Sequence, residues 1–471
     1  MFQKAGIGLG AGWISGANRV SRCSGLLQPR LAGLLQYVRR SQTRWLSCKS
    51  HRLVLNILES SSSEINIAGS HCQLLHYQNS LTSNIFGMPI KVVSIVTRMN
   101  LGGVAMLLAE LHEKLPSKEF AHTLVTGECA KNEIDILDST PDDPNIVKIK
   151  RLGRSVNFIA DFLTFLELRK IIKKINPDIV HTHTSKAGLL GRIAAKSLKK
   201  KIKIVHTYHG HHLYGYFPKI IVRTIIIIER VLVKITDIFI ADSKQVAIDL
   251  RLFRIGDKKT WEVIAPGIRM MPTTSRADSR QKLKIREDLF VICWVGRFTD
   301  IKNPMLALKS YLLVSHQLSN ATQLIMVGDG ELLDSCRNFA LTNKLNVLFT
   351  GWEASISHYL EASNVLLMTS INEGFGMVIA EAGYFSVPTI STDVGGIREF
   401  VKVGKNGFIV DSSELNIASK ISSLISDPKL LFKVGDEARK TTITNFTAEI
   451  FVEKHRVVYR NLLAKSRGPN A

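Results

Sequence analysis

The chain alternates short apolar strand patterns with helical patterns in two successive series, and this alternation leaves few folds open. The first series begins at Lys91 with KVVSIV and ends at the strand DIFIAD (237–242). A second series starts with LFVICWVGR at Leu289 and ends with GFIV (407–410). Strands that alternate with helices pair in parallel and carry helices on both faces of the sheet. The sequence therefore predicts an α/β protein with two doubly wound domains.

Composition changes mark the domain boundaries. The polar segment 271–288, which contains Pro272, interrupts the alternation and is predicted to be a linker. We therefore predict domains at 88–270 and 289–447, and a final helix in 448–471 that packs back across both. Residues 1–87 are rich in arginine and serine, with no acid before Glu59, as in organelle transit peptides. We expect either such a leader or a disordered extension without function, translated from an upstream start site.

Charge is distributed unevenly along the 471 residues. Residues 1–88 contain 9 basic side chains (Lys and Arg) and 2 acidic ones (Asp and Glu). Residues 89–288 contain 35 basic and 21 acidic side chains, and residues 289–471 contain 18 and 17. A basic half suggests an anionic partner such as a membrane, a phosphorylated lipid or nucleic acid, although a generally lysine-rich composition explains it equally well. Without an RNA-binding signature or aromatic platform, nucleic acid is not favoured.

Cysteine spacing and hydropathy exclude two further classes of protein. The six cysteines form no CxxC pair, which argues against zinc knuckles and disulfide frameworks and favours a reducing, cytoplasmic setting. The apolar stretch 219–241 is interrupted by charged residues, so it is too short to cross a bilayer. We predict a buried or interfacial helix that runs into a strand.

One candidate site lies in SINEGFGMVIAEAGYFSVPTIST (370–392). Glu373 precedes a glycine turn, and Glu381 follows it by eight residues. With a helix starting near Phe375, Gly374 and Gly376 would expose backbone N–H groups for an anion. The two carboxylates would lie roughly 10–12 Å apart on one face, suited to a ligand with two polar ends.

Other candidates also follow predicted strands. Arg297 and Lys302 lie five residues apart after Val295, where two cations could bind a diphosphate. Gly102-Gly103 follows the first strand, a weak signal when taken alone. Of the histidines at 206, 209, 211 and 212, we favour His209 as a hydrogen-bonding partner of a substrate hydroxyl, and we expect no metal site because no carboxylate is spaced to join them.

Taken together, these motifs resemble glycosyltransferase family 4, in the type that builds bacterial surface polysaccharides. The resemblance rests on EGFGMVIAEA, GRFTDIKNP, the Gly-Gly pair, HTHTSKAGLLGR, HTYHGHHLYG, VGDG and STDVGG in this order, and it covers about 88–465. It implies the GT-B fold, in which two Rossmann-like domains face each other across a cleft. It also implies retaining transfer of a sugar, of hexose type, from a nucleotide diphosphate without a metal or other cofactor.

The resemblance further implies roles for individual residues. Arg297 and Lys302 would bind the donor diphosphate and stabilise its leaving charge. Glu381 would bind the ribose and Glu373 the transferred sugar. The sugar and diphosphate would also meet the N–H groups of three consecutive residues, Gly374, Phe375 and Gly376. His209 and Gly103 would complete the site from the acceptor domain. The donor base is taken as uridine, the commonest choice in the family.

The acceptor would be a lipid-linked or saccharide hydroxyl. We expect a cytoplasmic protein in peripheral contact with an anionic inner leaflet through 198–203 and 219–234, or an imported one if residues 1–87 are a true transit segment. Two rivals share the fold: a nucleotide-sugar epimerase, for which no clear set of acids is present, and a non-catalytic nucleotide-sugar binder, which the four charged site residues argue against.

Overall fold

The computed structural model describes most of the chain from Met88 to Ala464. Within that range it leaves out 131–132, 140–141, 154, 211–212, 215–217 and 319–320. The predictions made for residues 1–87 and for residues 465–471 lie outside the described part.

Two parallel sheets form the framework, as the alternation predicts. The strands of the first sheet are β1 (Ile90–Val96), β2 (Phe120–Gly127), β3 (Ile146–Ile149), β4 (Ile179–His183), β5 (Lys203–Tyr208), β6 (Ile238–Ala241) and β7 (Thr260–Val263), in the order β3-β2-β1-β4-β5-β6-β7. Those of the second are β8 (Phe290–Val295), β9 (Thr322–Val327), β10 (Val347–Gly351), β11 (Val365–Met368), β12 (Thr389–Thr392) and β13 (Gly407–Val410), in the order β10-β9-β8-β11-β12-β13. Every neighbouring pair is parallel.

Helices connect the strands and cover both faces. In the first domain they are α1 (Gly103–Lys114), α2 (Phe158–Ile175), α3 (Ser185–Ser197), α4 (Lys219–Val233) and α5 (Lys244–Leu252), with a 3₁₀ turn at Ile136–Ser139. After them come α6 (Arg276–Lys282), α7 (Pro304–Leu318), α8 (Leu333–Thr342), α9 (Ser357–Ala362), α10 (Met377–Tyr384), α11 (Ile397–Phe400), α12 (Glu414–Ser426), α13 (Pro428–Asn445) and α14 (Ala448–Ala464).

Successive side chains along a strand pack against helices on opposite faces of the sheet. Val92 packs in a core with α1 and α14, whereas the next residue, Val93, packs in a core with α2 and α3. Successive strand side chains point to opposite faces, so adjacent apolar residues serve two different cores. The cluster beneath α4 and α5 includes Ala241, on the same face of the sheet as α2 and α3. Helices α2 to α5 therefore form one layer, called here the α2–α5 layer.

The segment predicted to be a linker is partly helical. Helix α6 occupies its centre and begins with a capping box between Ser275 and Asp278. Its buried Arg280 donates to the carbonyl of Ala362 (2.9 Å) and to Oδ1 of Asn364 (2.8 Å), so the helix is attached to the second domain. Apolar periodicity did not predict this helix, because a buried arginine that donates to a backbone carbonyl takes the place of an apolar residue on its inner face.

The final helix follows the second domain in sequence but packs on the first. Phe451 and Tyr459 of α14 lie in the core that contains α1 and β1. The Tyr459 hydroxyl is 2.7 Å from Nδ1 of His181 on β4. The chain thus returns across the interdomain boundary and ties the two halves together.

The apolar stretch 219–241 forms helix α4 followed by strand β6, as predicted. Among the described residues, none of the helices combines the length and the hydropathy that a membrane crossing requires.

Candidate active site

Residues from the two domains meet at the carboxyl ends of the strands, where ligands bind in doubly wound folds. A Cβ atom added at Gly374, after β11, would lie 2.8 Å from the carbonyl oxygen of His209, after β5. One added at Gly103, the first residue of α1, would lie 2.8 Å from Sδ of Met377, the first residue of α10. Glycine at position 374 therefore allows the backbones of the two domains to approach closely, and glycine at position 103 leaves room for the Met377 side chain.

Lys302 and Glu373 form an ion pair at this edge. The Lys302 ammonium donates to Oε1 of Glu373, and the Ser370 hydroxyl donates to the same oxygen at 2.7 Å. The Glu373 side chain is only 10% exposed. A buried carboxylate that is both paired and hydrogen-bonded holds a cation at the mouth of the strand-to-helix turn. The structure thus joins two residues that are 71 positions apart in the sequence.

Arg297 lies on the same turn as Lys302 but remains free. It is exposed, and no described residue bonds to its guanidinium. Its neighbour Gly296 packs on the aliphatic stem of Lys302, where an added Cβ would lie 3.5 Å from Cδ. An arginine without a protein partner is available for a bidentate contact with an oxyanion.

The glycine turn differs from its predicted geometry. Helix α10 begins at Met377, two residues later than expected, and Gly376 precedes it in the left-handed region (φ 80°). The Phe375 side chain is buried in the core, with its ring centroid 5.2 Å from that of Phe446. Only the backbone of Phe375 can therefore serve a ligand. Half of the path from Glu373 to Glu381 is not helical, so the predicted separation of the two carboxylates stays a prediction.

Glu381 lies half-buried on α10. Burial raises the pKa of its carboxyl group to about 7. None of the described residues donates a hydrogen bond to it or pairs with it. Burying a carboxylate that has no hydrogen-bond partner costs free energy unless a ligand supplies the missing hydrogen bonds. This residue is therefore a candidate binding group rather than an exposed surface charge.

His209 is held by two other side chains. Its Nδ1 lies 3.2 Å from both carboxylate oxygens of Asp242, and its Nε2 lies 3.0 Å from Nδ1 of His183. A carboxylate only accepts, so His209 donates from Nδ1, and in the neutral tautomer its Nε2 then accepts from His183. Nε2 of buried His183 then has no hydrogen-bond partner in the described part of the chain. Both His209 nitrogens are engaged, so its contact with a substrate hydroxyl stays a prediction and would require exchange with His183.

Sequence reasoning missed several residues that shape this edge. They are His183, Asp242, Ser243, Ser370 and Glu399. Asp242 directly follows β6, and that position was the available signal, since the other candidates were also found after strands. Gly396 packs on the Ser243 side chain, and Glu399 accepts from the Lys244 backbone N–H at 2.9 Å, so these contacts also join the domains. Except for Ser370, which donates to Glu373 three residues away, these residues have partners that are distant in sequence, and this distance hid them.

The histidine-rich segment does not supply a metal cluster within the described residues. No group of three or more His, Cys, Asp or Glu side chains there could hold a metal ion. His206 is buried on β5, with Nδ1 2.9 Å from the Thr182 hydroxyl. His211 and His212 lie outside the described residues.

This edge carries cations, the backbone N–H groups of a helix N-terminus and carboxylates. Arg297, Lys302 and the N-terminus of α10 offer positive charge and N–H groups. Glu373 and Glu381 are carboxylates, which accept hydrogen bonds. The first domain closes the other wall with His209 and Gly103.

Two family models match the chain and together cover most of it. The model described as "Glycosyltransferase Family 4" matches residues 101–270, and the model described as "Glycosyl transferases group 1" matches residues 275–441. The first contains Gly103 and His209, and the second contains the remaining candidate residues.

Curated relatives agree with the family models. The UDP-Gal:alpha-D-GlcNAc-diphosphoundecaprenol alpha-1,3-galactosyltransferase of Escherichia coli is 27% identical over 385 residues, which cover 79% of this chain and 97% of the relative. The capsular polysaccharide biosynthesis glycosyltransferase CapM of Staphylococcus aureus is 26% identical over 341 residues, which cover 69% of this chain and 88% of the relative.

Solved structures share the fold. Sucrose-phosphate synthase from Thermosynechococcus elongatus superposes with a TM-score of 0.68 at 20% identity, covering 80% of this chain and all of that one. Anabaena HepE in complex with UDP-glucose superposes with a TM-score of 0.64 at 19% identity, covering 79% of this chain and all of that one. With two parallel-sheet domains meeting at their ligand-binding edges, the chain has the GT-B fold and belongs to the family 4 type of glycosyltransferases.

Proposed function

We propose that this glycosyltransferase moves a hexose from a UDP-hexose to a hydroxyl of a lipid-linked or saccharide acceptor, with retention of anomeric configuration. The names of the relatives support the donor and acceptor classes, since one uses UDP-Gal with a diphosphoundecaprenol acceptor and another acts in capsular polysaccharide biosynthesis. The observation that carries the proposal is the Lys302–Glu373 ion pair, which precedes Gly374 at the point where Gly374 meets the His209–Gly210 turn of the other domain.

In this proposal the second domain binds the donor. The Glu381 carboxylate accepts from the ribose hydroxyls, which supply the hydrogen bonds that the protein does not provide. Glu373 and the N–H groups of Gly374, Phe375 and Gly376 contact the transferred sugar and the diphosphate. Arg297 and Lys302 bind the diphosphate, and Lys302 exchanges part of its contact with Glu373 for a phosphate oxygen.

The first domain binds the acceptor, whose hydroxyl approaches near Gly103 and His209. The bond between the anomeric carbon and the diphosphate breaks, and its electron pair goes to the diphosphate. The acceptor oxygen forms the new bond on the same face of the sugar, and its proton passes to the departing diphosphate oxygen. Lys302 and Arg297 stabilise the charge that develops on the leaving group, which is the largest contribution we assign to the protein.

We further propose that the protein works in the cytoplasm at an anionic membrane surface, where a lipid-linked acceptor would be found. The basic segments 198–203 and 219–234 are candidate contacts, because each well-placed basic residue contributes about 1 kcal/mol to binding an anionic leaflet. In the described part of these segments, Lys199, Lys200, Arg223 and Lys234 are exposed.

Calorimetry tests the donor assignment. The chain is titrated with UDP, GDP and ADP, in the presence of EDTA and without added metal, beside an Arg297→Ala variant. We expect UDP to bind most tightly and the variant to lose about 1.5–3 kcal/mol of that binding. Preference for GDP or ADP would reject the uridine assignment. Binding that requires a divalent ion would reject the proposal that no metal is needed.

A further inference from the structure

The first two turns of helix α2 project beyond the core of the first domain. No residue of α2 before Thr164 is buried, whereas Thr164, Leu168 and Ile172 pack inward. The projecting turns are nevertheless apolar: Phe158 is 86% exposed, Ile159 76% and Phe162 60%. Apolar side chains exposed together in this way indicate a surface that another body covers.

The projecting turns have a fixed conformation. The Asn157 side chain accepts from the Ala160 N–H at 2.9 Å and so caps the helix. Lys186, in the first turn of α3, pairs with Asp161 and donates to the Ser155 carbonyl at 2.6 Å. The apolar face is thus presented by a capped helix that is tied to its neighbour.

Apolar and basic residues follow one another along the same exposed stripe of α2. The stripe has helical spacing and consists of Ile159, Phe162, Leu163, Leu166, Arg169, Lys170 and Lys173. The apolar part extends roughly 10 Å along the axis and the basic part roughly 6 Å. A helix that lies along a bilayer would insert the first part among acyl chains and place the second within a Debye length of the headgroups.

Other helices of the α2–α5 layer extend this surface. Exposed apolar residues occur on α4 and α5 as well: Ile220, Ile221, Ile227, Val231, Ile248 and Leu252. From residue 156 to residue 254 the sequence has 18 lysines and arginines against 7 acids. The surface is therefore both apolar and cationic, and an anionic lipid bilayer complements both properties.

Charge disfavours two other occupants. A second copy would place two such cationic surfaces face to face in a symmetric dimer. Residues 1–87 are themselves basic, with 9 lysines and arginines against 2 acids, so they do not complement it either. Nucleic acid offers negative charge but no apolar phase for Phe158 or Ile159.

We propose that the exposed stripe of α2 is the membrane-inserting element of this protein, a role that rests on the proposed lipid-linked acceptor. Helices that follow parallel strands begin at the carboxyl edge of the sheet, so the apolar turns of α2 lie at the edge that forms the cleft. Insertion of these turns brings the mouth of the cleft to the bilayer surface, where the headgroup of a lipid-linked acceptor is within reach.

The test is flotation of the full chain with phosphatidylcholine vesicles, with and without phosphatidylglycerol. We compare wild type with the double variant Ile159→Ser/Phe162→Ser, which removes two exposed apolar side chains of the stripe. The matched control is Leu415→Ser/Phe432→Ser, which removes side chains that are 70% and 79% exposed on α12 and α13 of the other domain. We expect the α2 variant to lower the partition constant for anionic vesicles about a hundredfold and the control to leave it unchanged.

UDP binding is measured on the same samples, and all three proteins should bind alike, which shows that the variants are folded. Failure of wild type to float, or equal flotation of the α2 variant, would overturn the inference. A change from dimer to monomer in the α2 variant by analytical ultracentrifugation would assign the stripe to a second copy instead. Loss of UDP binding in wild type would count against the proposed donor site and would leave the flotation result standing.

Discussion

The two domains share a parallel-sheet architecture but differ in the charge and the apolar exposure of their surfaces. Residues 89–288 have 35 basic and 21 acidic side chains, whereas 289–471 have 18 and 17. Among the described residues, fifteen large apolar side chains are exposed between 156 and 252, against eight from 271 to the end. In the second domain the Lys302–Glu373 ion pair lies at the cleft, whereas the first domain also exposes apolar and basic side chains together on helix α2. Under the proposals above, the second domain would bind the donor and the first would also offer a docking surface.

Each domain also buries an arginine, and the two arginines have different partners. Arg192 donates from Nη2 to both carboxylate oxygens of Glu229 at 2.9 Å, whereas Arg280 bonds to carbonyl and amide oxygens. Arg192→Met should lower the free energy of unfolding by about 3–5 kcal/mol, because it leaves the Glu229 carboxylate buried without its cation. Arg280→Met should cost about 1–3 kcal/mol. Denaturant unfolding measures both, and equal losses would refute this contrast.

The proposed catalytic role of the second domain can be tested at Lys302. Lys302→Ala should lower kcat/KM about 10²–10³-fold, since it removes a cation from the developing charge on the leaving group. Lys309→Ala is the control, because Lys309 pairs with Glu414 on the surface of the same domain and should have little effect. The measurement is steady-state transfer from UDP-hexose. A Lys302→Ala enzyme with unchanged kcat would show that this cation serves only folding.

The contact between the domains can be tested at Gly374. A methyl group there would lie 2.8–3.1 Å from the backbone of His209 and Gly210. Gly374→Ala should therefore separate the two walls of the cleft and lower kcat about 10–100-fold, with little change in unfolding. Gly153→Ala is the matched control, since its Cβ would meet nothing within 4 Å. Equal activity of the two variants would indicate that this contact does not position the reacting groups.

The smallest predicted effect concerns the pH dependence of Glu381. Burial raises its pKa from 4.5 to about 7, so the folded protein retains a proton that the unfolded chain releases. Its contribution to stability is therefore fully present below about pH 4.5, declines as pH rises towards 7, and stays lost above it. Glu381→Gln should abolish this dependence and be more stable than wild type above pH 7 by about 1–2 kcal/mol.

Nucleotide binding should show the complementary dependence. If the charged Glu381 carboxylate accepts from the ribose, affinity for UDP falls about tenfold between pH 8 and pH 6 through this group. The phosphate of UDP also titrates in this range. The Glu381→Gln variant measures how much that titration alone changes the affinity. Calorimetry across this range checks the difference between the two proteins. If the affinities of wild type and variant changed with pH in the same way, Glu381 would not be a nucleotide-binding residue.

The sequence alone determined the framework and the positions of most candidate residues. Alternating apolar strands and helices require parallel sheets, because a parallel pair needs a crossover connection. Polar residues after strands then lie at one edge by topology, and this rule found Glu373, Arg297, Lys302 and His209. The same rule could have found Asp242, which directly follows β6.

Only the tertiary structure decided how those residues are paired and how far they are buried. The partners of His209, the ion pair of Lys302 with Glu373 and the desolvation of Glu381 depend on segments that are distant in sequence. Periodicity likewise identified α2 as a helix but could not show that its first turns extend past the core. The reason is the same in each case: burial and pairing are properties of the space around a side chain, and that space is built by the rest of the chain.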